Sequence, residues 1–370
     1  MLFRSGGSVS GDRREERQAA LRRQLAAQEL GALLVLHPPN IRYLTGFTGS
    51  AGLLLVGAGR TVLLTDFRYA EQAPQEAGDS AQVLMEPSDL WGRLGKLLDA
   101  GGRIRLGFER DHLTVRDRER LGGFEIAEPV PTSDLVEALR VVKDPDEVEA
   151  LRAAADLAEE ALAELLPTVR VGQTEQEVAA RLEHALRRRG SEWHPFQTIV
   201  ASGPRSALPH ARSSARPLGR GEWLLVDFGA QLGGYCADLT RTVVVGAPAE
   251  VRQREIYEIV RRAQRVARET VRPGMTGREA DALGRDIIAA AGYGEAFGHS
   301  LGHGIGLEVH EAPRLARTAD APLPAGAVVT VEPGIYLTGW GGVRLEDDVH
   351  LSPAGPRCLS DGRTDLLELL

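Results

Sequence analysis

Lysine is nearly missing from this chain: of 44 basic residues only Lys96 and Lys143 are lysines, and the rest are arginines. Basic residues are also outnumbered, 44 against 52 acids, for a formal charge of −8 and a pI of about 5.7. Without a basic excess to neutralise phosphates, nucleic acid is not an expected partner. Cysteine is scarce too. Cys236 and Cys358 cannot frame a disulfide scaffold, Cys236 reads as a small buried residue, and the pair fits a reducing cytoplasm. No apolar run reaches the roughly 20 residues of a membrane span. The N-terminus lacks the basic region, apolar core and cleavage site of a secretion signal, and residues 1 to 11, rich in Gly and Ser, read as disordered. What remains is an ordinary soluble composition, 43% hydrophobic and 26% charged over 370 residues, with room for two domains.

The first domain, 12–134, reads as α/β. A helical stretch from Arg13 to Gln28 precedes the buried strands Ala32–Leu36, Gly52–Val56 and Thr61–Asp66. Helices at Arg68–Gln75 and Leu90–Leu98 and short strands at Ile104–Phe108 and Phe124–Ile126 follow. The second domain, 135–370, begins with a helix at Leu135–Val142 and reads as α+β. Asp144-Pro145 opens a long helix to Leu166, and Thr174 with Glu177 caps another to Arg189. Strands at Thr198–Ser202, Glu222–Gly229 and Ala237–Val245 come next. Helices Ala249–Val271 and Gly277–Ala291 and strands Val328–Leu337 and Gly342–Leu351 complete the pattern.

Five polar residues interrupt this second domain in apolar surroundings. Asp227 ends the run Trp223-Leu224-Leu225-Val226, and Asp238 leads from a Gly233-Gly234 turn into Leu239–Val245. His303 lies within Gly298–Gly306, Glu332 follows Val329-Thr330-Val331, and Glu346 follows Val343-Arg344-Leu345. A carboxylate buried in a strand costs several kcal/mol unless a cation or partner compensates it. Four of them with one imidazole therefore point to a shared cation, and an oxygen-rich, thiolate-free set suits a pair of Mn²⁺, Co²⁺ or Zn²⁺ ions. From Val343 to Leu351 the odd positions Val343, Leu345, Val349 and Leu351 are apolar. The even ones, Arg344, Glu346, Asp348 and His350, are polar and share a face, either a site or a solvated surface.

These five runs in this order resemble the pita-bread metallopeptidases, the family of methionine aminopeptidase, aminopeptidase P and prolidase. Ser202-Gly203-Pro204-Arg205-Ser206-Ala207-Leu208-Pro209-His210 and Val309-His310-Glu311-Ala312-Pro313 resemble its Xaa-Pro branch, and Asn40–Ser50 is similar to that branch's N-terminal domain. The resemblance implies a creatinase-like α/β domain followed by an α+β pita-bread domain. It implies that Asp227 holds one metal, His303 and Glu332 the other, and that Asp238 and Glu346 bridge the two, with Mn²⁺ the first choice of ion. Glu332 would be the general base. His310 would bond the carbonyl oxygen, His210 and His299 would line the proline pocket, and Tyr336 and Arg344 would support the ligands, Arg344 through bidentate bonding.

The activity implied is hydrolysis of the bond between an N-terminal residue and proline in small proline-containing peptides. A dipeptidase (prolidase) stands first and an aminopeptidase P acting on longer peptides second; a non-catalytic pita-bread binding module is the reading from another class. A cytoplasmic homodimer is implied, with Pro38–Ser50 as a candidate loop toward the partner's site or else a plain turn. His37, His112, His184, His194 and His350 carry no motif and read as surface or structural. The glycines of Gly298–Gly306 lack the Lys-Ser/Thr ending of a phosphate loop.

Overall fold

Apolar runs covered on both sides form the sheet of the first unit, as expected of strands that show little alternation. A computed structural model describes residues 11–99, 103–124, 127–360 and 363–370, and it divides into a unit ending at Arg140 and one starting at Val141. In the first, strands Ala32–Val35, Leu53–Gly57, Thr61–Thr65 and Ile104–Glu109 match the expected runs. With Gln82–Met85 and Ala127–Thr132 they make one six-stranded mixed sheet. Ala32–Val35 lies at its centre, antiparallel to Leu53–Gly57 and parallel to Ile104–Glu109. Leu34, Leu55, Leu64 and Leu106 pack beneath Leu94 and Leu98 of helix Leu90–Asp99 and Leu121 of helix Val115–Gly122. The edge strand Gln82–Met85 buries none of its residues fully, so no apolar pattern announced it. Of the strand expected at Phe124–Ile126, Glu125 and Ile126 lie outside the described residues, as do residues 1–10.

Two expectations for this unit need correction. Only the end of Pro38–Ser50 is a loop: Pro38–Thr45 is a helix that buries Asn40, Ile41, Tyr43, Leu44 and Thr45, and residues 46–50 follow without helix or strand, with Thr48 and Ser50 exposed. Pro38 and Pro39 supply the fixed φ of a first turn, and Gly46, at φ 84°, ends the helix in a left-handed conformation that favours glycine. Ile41, Leu44 and Phe47 then fall on the core side. The helix expected at Leu135–Val142 forms only at Glu137–Arg140. There Arg140 Nη1 donates to Asn40 Oδ1 at 2.7 Å, which keeps the chain in the first unit past residue 134.

The second unit repeats one plan. Helices Pro145–Leu165 and Glu175–Arg189 pack through Leu162, Val178 and Leu182 on Val200, Leu224, Val226 and Val243 of a four-stranded sheet. Helices Val251–Thr270 and Gly277–Ala290 pack in the same way on Val329, Val331, Val349 and Leu351 of a five-stranded sheet. Capping boxes begin the helices: Asp144 with Glu147, Thr174 with Glu177 and Thr276 with Glu279. Each cap is worth about 1 kcal/mol.

The expected strands Val328–Leu337 and Gly342–Leu351 are each broken in two. Val328–Val331 and Gly334–Leu337 are separated at Glu332-Pro333, and Gly341–Arg344 and Asp347–Ser352 at Leu345-Glu346. Proline has no N–H to donate to a ladder. At the second break the chain leaves its partner Gly334–Leu337, makes a lone bridge from Glu346 to Thr240, and rejoins Val328–Val331. Asp238 sits just ahead of Leu239–Val245, and the strand register shifts between His303 and Gly304. The chain therefore turns aside at four of the five polar positions, re-aiming side chains that a regular pleat would point elsewhere.

Candidate metal centre

The even-numbered face of the last strands is buried rather than solvated. Arg344, Glu346 and Asp348 are all inside, while Val343, Leu345, Val349 and Leu351 fill the helix-backed core. Asp347 breaks the parity. It is buried on the helix side, where Arg241, Arg268, Gln264 and Ser360 surround its carboxylate.

Asp238, His303 and Glu346 each present one ligand atom within 4.8 Å of the others. His303 Nε2 lies 3.7 Å from Asp238 Oδ2 and 3.5 Å from Glu332 Oε1, which draws Glu332 into the same group. Asp227, on strand Glu222–Phe228 opposite Thr240, pairs through Oδ2 with Arg344, while its buried Oδ1 has no hydrogen-bond partner among the described residues. Burial drives the electrostatics. It pushes the carboxyls of Asp238 and Glu332 well above their usual range, with Glu346 adding to both, and lifts Glu346 to about 8. Asp227 is also raised, against the pull of Arg344.

His303 is prepared as a ligand. Burial lowers its pKa to about 4, so the ring is neutral at pH 7. Its Nδ1–H has Gly304 O as an acceptor at 3.0 Å, which leaves the Nε2 lone pair facing the acids. Tightly grouped acids, a neutral imidazole with a free lone pair and an orphaned carboxylate oxygen at Asp227 are what divalent cations would satisfy, so these residues fit a metal centre.

The other expected residues border this group. His299, with a pKa lowered by burial to about 4, accepts at Nε2 from Tyr336 Oη at 2.8 Å. Its Nδ1 is 2.8 Å from Ser300 O and 3.7 Å from Glu332 Oε2. Tyr336 Oη in turn accepts from Arg344 Nη1 at 2.8 Å, and burial raises that phenol to about 12. Arg344 does not fork onto one carboxylate as expected. It spreads over Asp227, Tyr336 and Thr240 Oγ1, the last at 3.1 Å. The His310 ring is 4.4 Å from that of His303, centroid to centroid. His210 is exposed and near enough for its charge to act on Asp227 and His310. His37 and His112 stack on each other within the first unit, and His194 stacks on Trp193, away from any ligand motif.

Several contributors were not singled out from sequence. Thr240 donates to Glu346 Oε2 at 2.6 Å, and the Asp238 N–H donates to Asp348 Oδ2 at 3.2 Å. Arg314 stands directly opposite His303 across the strands Gly302–Gly304 and Glu311–Leu315, hence on the same face. It is exposed, and its charge acts on His303 and His310. Lys143 pairs with Glu311 at 3.0 Å with side chains 1% and 7% exposed, anchoring the segment beside His310. The available signals were a threonine inside an apolar strand and one of only two lysines. Cys236 is buried near the acids, and its thiol is pushed to about 12, so it stays neutral.

Two family models match the chain: the Creatinase/Prolidase N-terminal domain at residues 17–142 and Metallopeptidase family M24 at residues 149–353. A solved Xaa-Pro dipeptidase from Bacillus anthracis is 42% identical, with a TM-score of 0.92, covering 96% of this chain and 100% of that one. A solved X-Pro aminopeptidase from Thermotoga maritima is 36% identical at a TM-score of 0.88, covering 95% and 99%. A Xaa-Pro dipeptidase of Pyrococcus horikoshii is 35% identical over 91% of this chain and 95% of its own length.

Proposed function

The chain belongs to metallopeptidase family M24, a family of two-metal hydrolases, and we propose that it cleaves the Xaa-Pro bond of dipeptides in preference to longer peptides. The observation that carries the dipeptide preference is Arg314 on the face and register of His303. In a dipeptide the proline carboxylate lies one residue beyond the scissile carbonyl, where the exposed Arg314 cation beside His303 would meet it. In a longer peptide that position is a neutral amide, which gains little from an arginine.

Two divalent cations, manganese first and cobalt or zinc as alternatives, would lower the pKa of a water and polarise the scissile carbonyl. Asp227 would hold one, His303 and Glu332 the other. Asp238 and Glu346 would be shared between the two, since a carboxylate has two oxygens to offer. Glu332 takes a proton from the attacking water at a carboxylate oxygen and delivers it to the proline nitrogen as the bond breaks. His310 donates an N–H to the carbonyl oxygen as negative charge develops there. His210 and His299 border the proline ring, with Tyr336 fixing the His299 Nε2 edge. An Xaa-Pro bond has no N–H, so a site that grips amine, carbonyl and carboxylate works where peptidases that need that N–H fail.

The non-catalytic reading is disfavoured by the retention of all five ligand residues. Free thiols at Cys236 and Cys358 suit a reducing cytoplasm, and no helix among the described residues is long and apolar enough to cross a membrane. We infer a homodimer from family membership, checked by sedimentation. The activity test is hydrolysis of Ala-Pro beside Ala-Pro-Ala with Mn²⁺, Co²⁺ or Zn²⁺ added singly. Faster turnover of Ala-Pro is expected. A preference for Ala-Pro-Ala would assign an aminopeptidase, and no hydrolysis with any metal would favour the binding module.

A further inference from the structure

Glu175 is the first residue of helix Glu175–Arg189, yet its carboxylate does not serve the helix. Its side chain is 0% exposed and points to the two ends of the segment that carries His210. At the entry, Oε1 accepts from Ser202 N at 2.8 Å and Ser202 Oγ at 3.0 Å. At the exit, Oε2 accepts from Ser214 N at 3.0 Å and Ser214 Oγ at 2.6 Å. Arg205, just past the entry, donates from Nε to Oε2 at 3.0 Å and from Nη2 to Arg212 O at 2.5 Å. One buried charge thus closes residues 203–213 into a loop.

Between these anchors the loop reaches toward the metal centre. Leu208 is 51% exposed, His210 is exposed, and Pro209 O accepts from Arg344 Nη1 at 3.4 Å. Ser206 ties the inner side by donating to Gly203 O at 2.7 Å and accepting from Gly342 N at 2.8 Å. Strand Ile199–Ser202 is separately held against Glu222–Phe228 by its own ladder, so Asp227 does not depend on the clamp.

We propose that Glu175 is a positioning residue: by clamping both ends of loop 203–213 it sets where His210 and Leu208 stand against the substrate, leaving the ligands to other supports. The inference rests on the Xaa-Pro reading. A buried carboxylate holding several donors in fixed geometry is a stiff tie, because each donor left behind would be unsatisfied. Loosening it enlarges the set of His210 positions, which costs substrate binding more than it costs a bound complex already in place.

The test compares Glu175→Gln and Ser214→Ala with the unaltered protein, all loaded with Mn²⁺. Expected for E175Q are unchanged metal content, KM for Ala-Pro raised about tenfold and kcat within about threefold. Trypsin should also cut faster after Arg212 in the folded variant, a readout independent of turnover. Ser214→Ala, which removes one donor and keeps the rest, should raise KM about threefold without lowering Tm; it stands alone if E175Q does not fold. Loss of metal together with activity, or an unchanged KM in the folded variants, would overturn the positioning role. Absence of Ala-Pro hydrolysis by the unaltered protein would instead strike the Xaa-Pro reading, leaving the tryptic result to judge the clamp.

Discussion

Thr240 and Glu346 are joined twice. The Thr240 hydroxyl donates to Glu346 Oε2 at 2.6 Å, and the Glu346 N–H donates to Thr240 O at 3.2 Å. The main-chain bond fixes where the strand breaks, and the side-chain bond fixes how the carboxylate faces. Thr240→Val should keep the first and lose the second. Metal affinity should fall about 10- to 100-fold, the usual cost of losing a group that orients a ligand. Competition with a fluorescent chelator measures this, and T240S should restore most of the loss.

Removing the cations should make stability depend on pH in a specific direction. Burial raises Asp238, Glu332 and Glu346, the last to about 8, so each binds its proton more tightly in the folded metal-free chain than in the unfolded one. That stabilisation is complete below the ordinary carboxylate range and is lost as pH climbs through the folded values. The Tm of chelated protein should therefore drop from about pH 5 to about pH 8, and Mn²⁺ should restore it with release of protons. A Tm of chelated protein that rises across that window would contradict the burial of these acids.

Ligation and oxyanion support should separate on mutation. Asp238→Ala and Glu346→Ala should lose bound metal along with activity. His310→Ala should retain metal while kcat falls about 10²- to 10³-fold, the size expected for one lost oxyanion donor. Elemental analysis beside steady-state kinetics distinguishes the two classes, and the opposite pattern would reverse the assignments.

Arg314→Met should raise KM for Ala-Pro by one to two orders of magnitude, as expected when a charged hydrogen bond of about 1.5–3 kcal/mol is removed. The KM for Ala-Pro-Ala should change by less than about threefold. Equal losses on both substrates would show that the arginine does not read a terminal carboxylate.

Much of this was legible because ligands leave a local mark: an acid set in or at the end of a mostly apolar stretch, as Asp227 is after Trp223–Val226, is conspicuous whether or not its strand continues. The breaks at Glu332-Pro333 and Leu345-Glu346 were not legible, since alternation across Val343–Leu351 ran smoothly past the point where the chain changes partners. Thr240, Glu175 and Lys143 were missed for a related reason. Their roles come from residues far along the chain, and a threonine or arginine has no local signature of what it will meet. Pro38–Thr45 misled in the other direction: Pro38, Pro39 and Gly46 suggest a loop, and the same residues begin and end a largely buried helix.

The twofold plan of the second unit has a consequence for how the protein is made. Asp227 lies in the first sheet and Asp238 just ahead of its strand Leu239–Val245, whereas His303 lies in the second sheet and Glu332 and Glu346 flank its strands Val328–Val331 and Asp347–Ser352; the bond from Thr240 to Glu346 spans 106 positions of sequence. Neither half owns all five donors, so each alone should hold a cation more weakly than the two together. Loop closure over such a span is slow relative to local structure, so the capacity to capture cation should emerge late, after both halves have formed. Two polypeptides divided near Gly246 should each bind Co²⁺ more weakly than the whole chain, and the gain in Co²⁺ affinity and d–d absorption on mixing them would time their assembly.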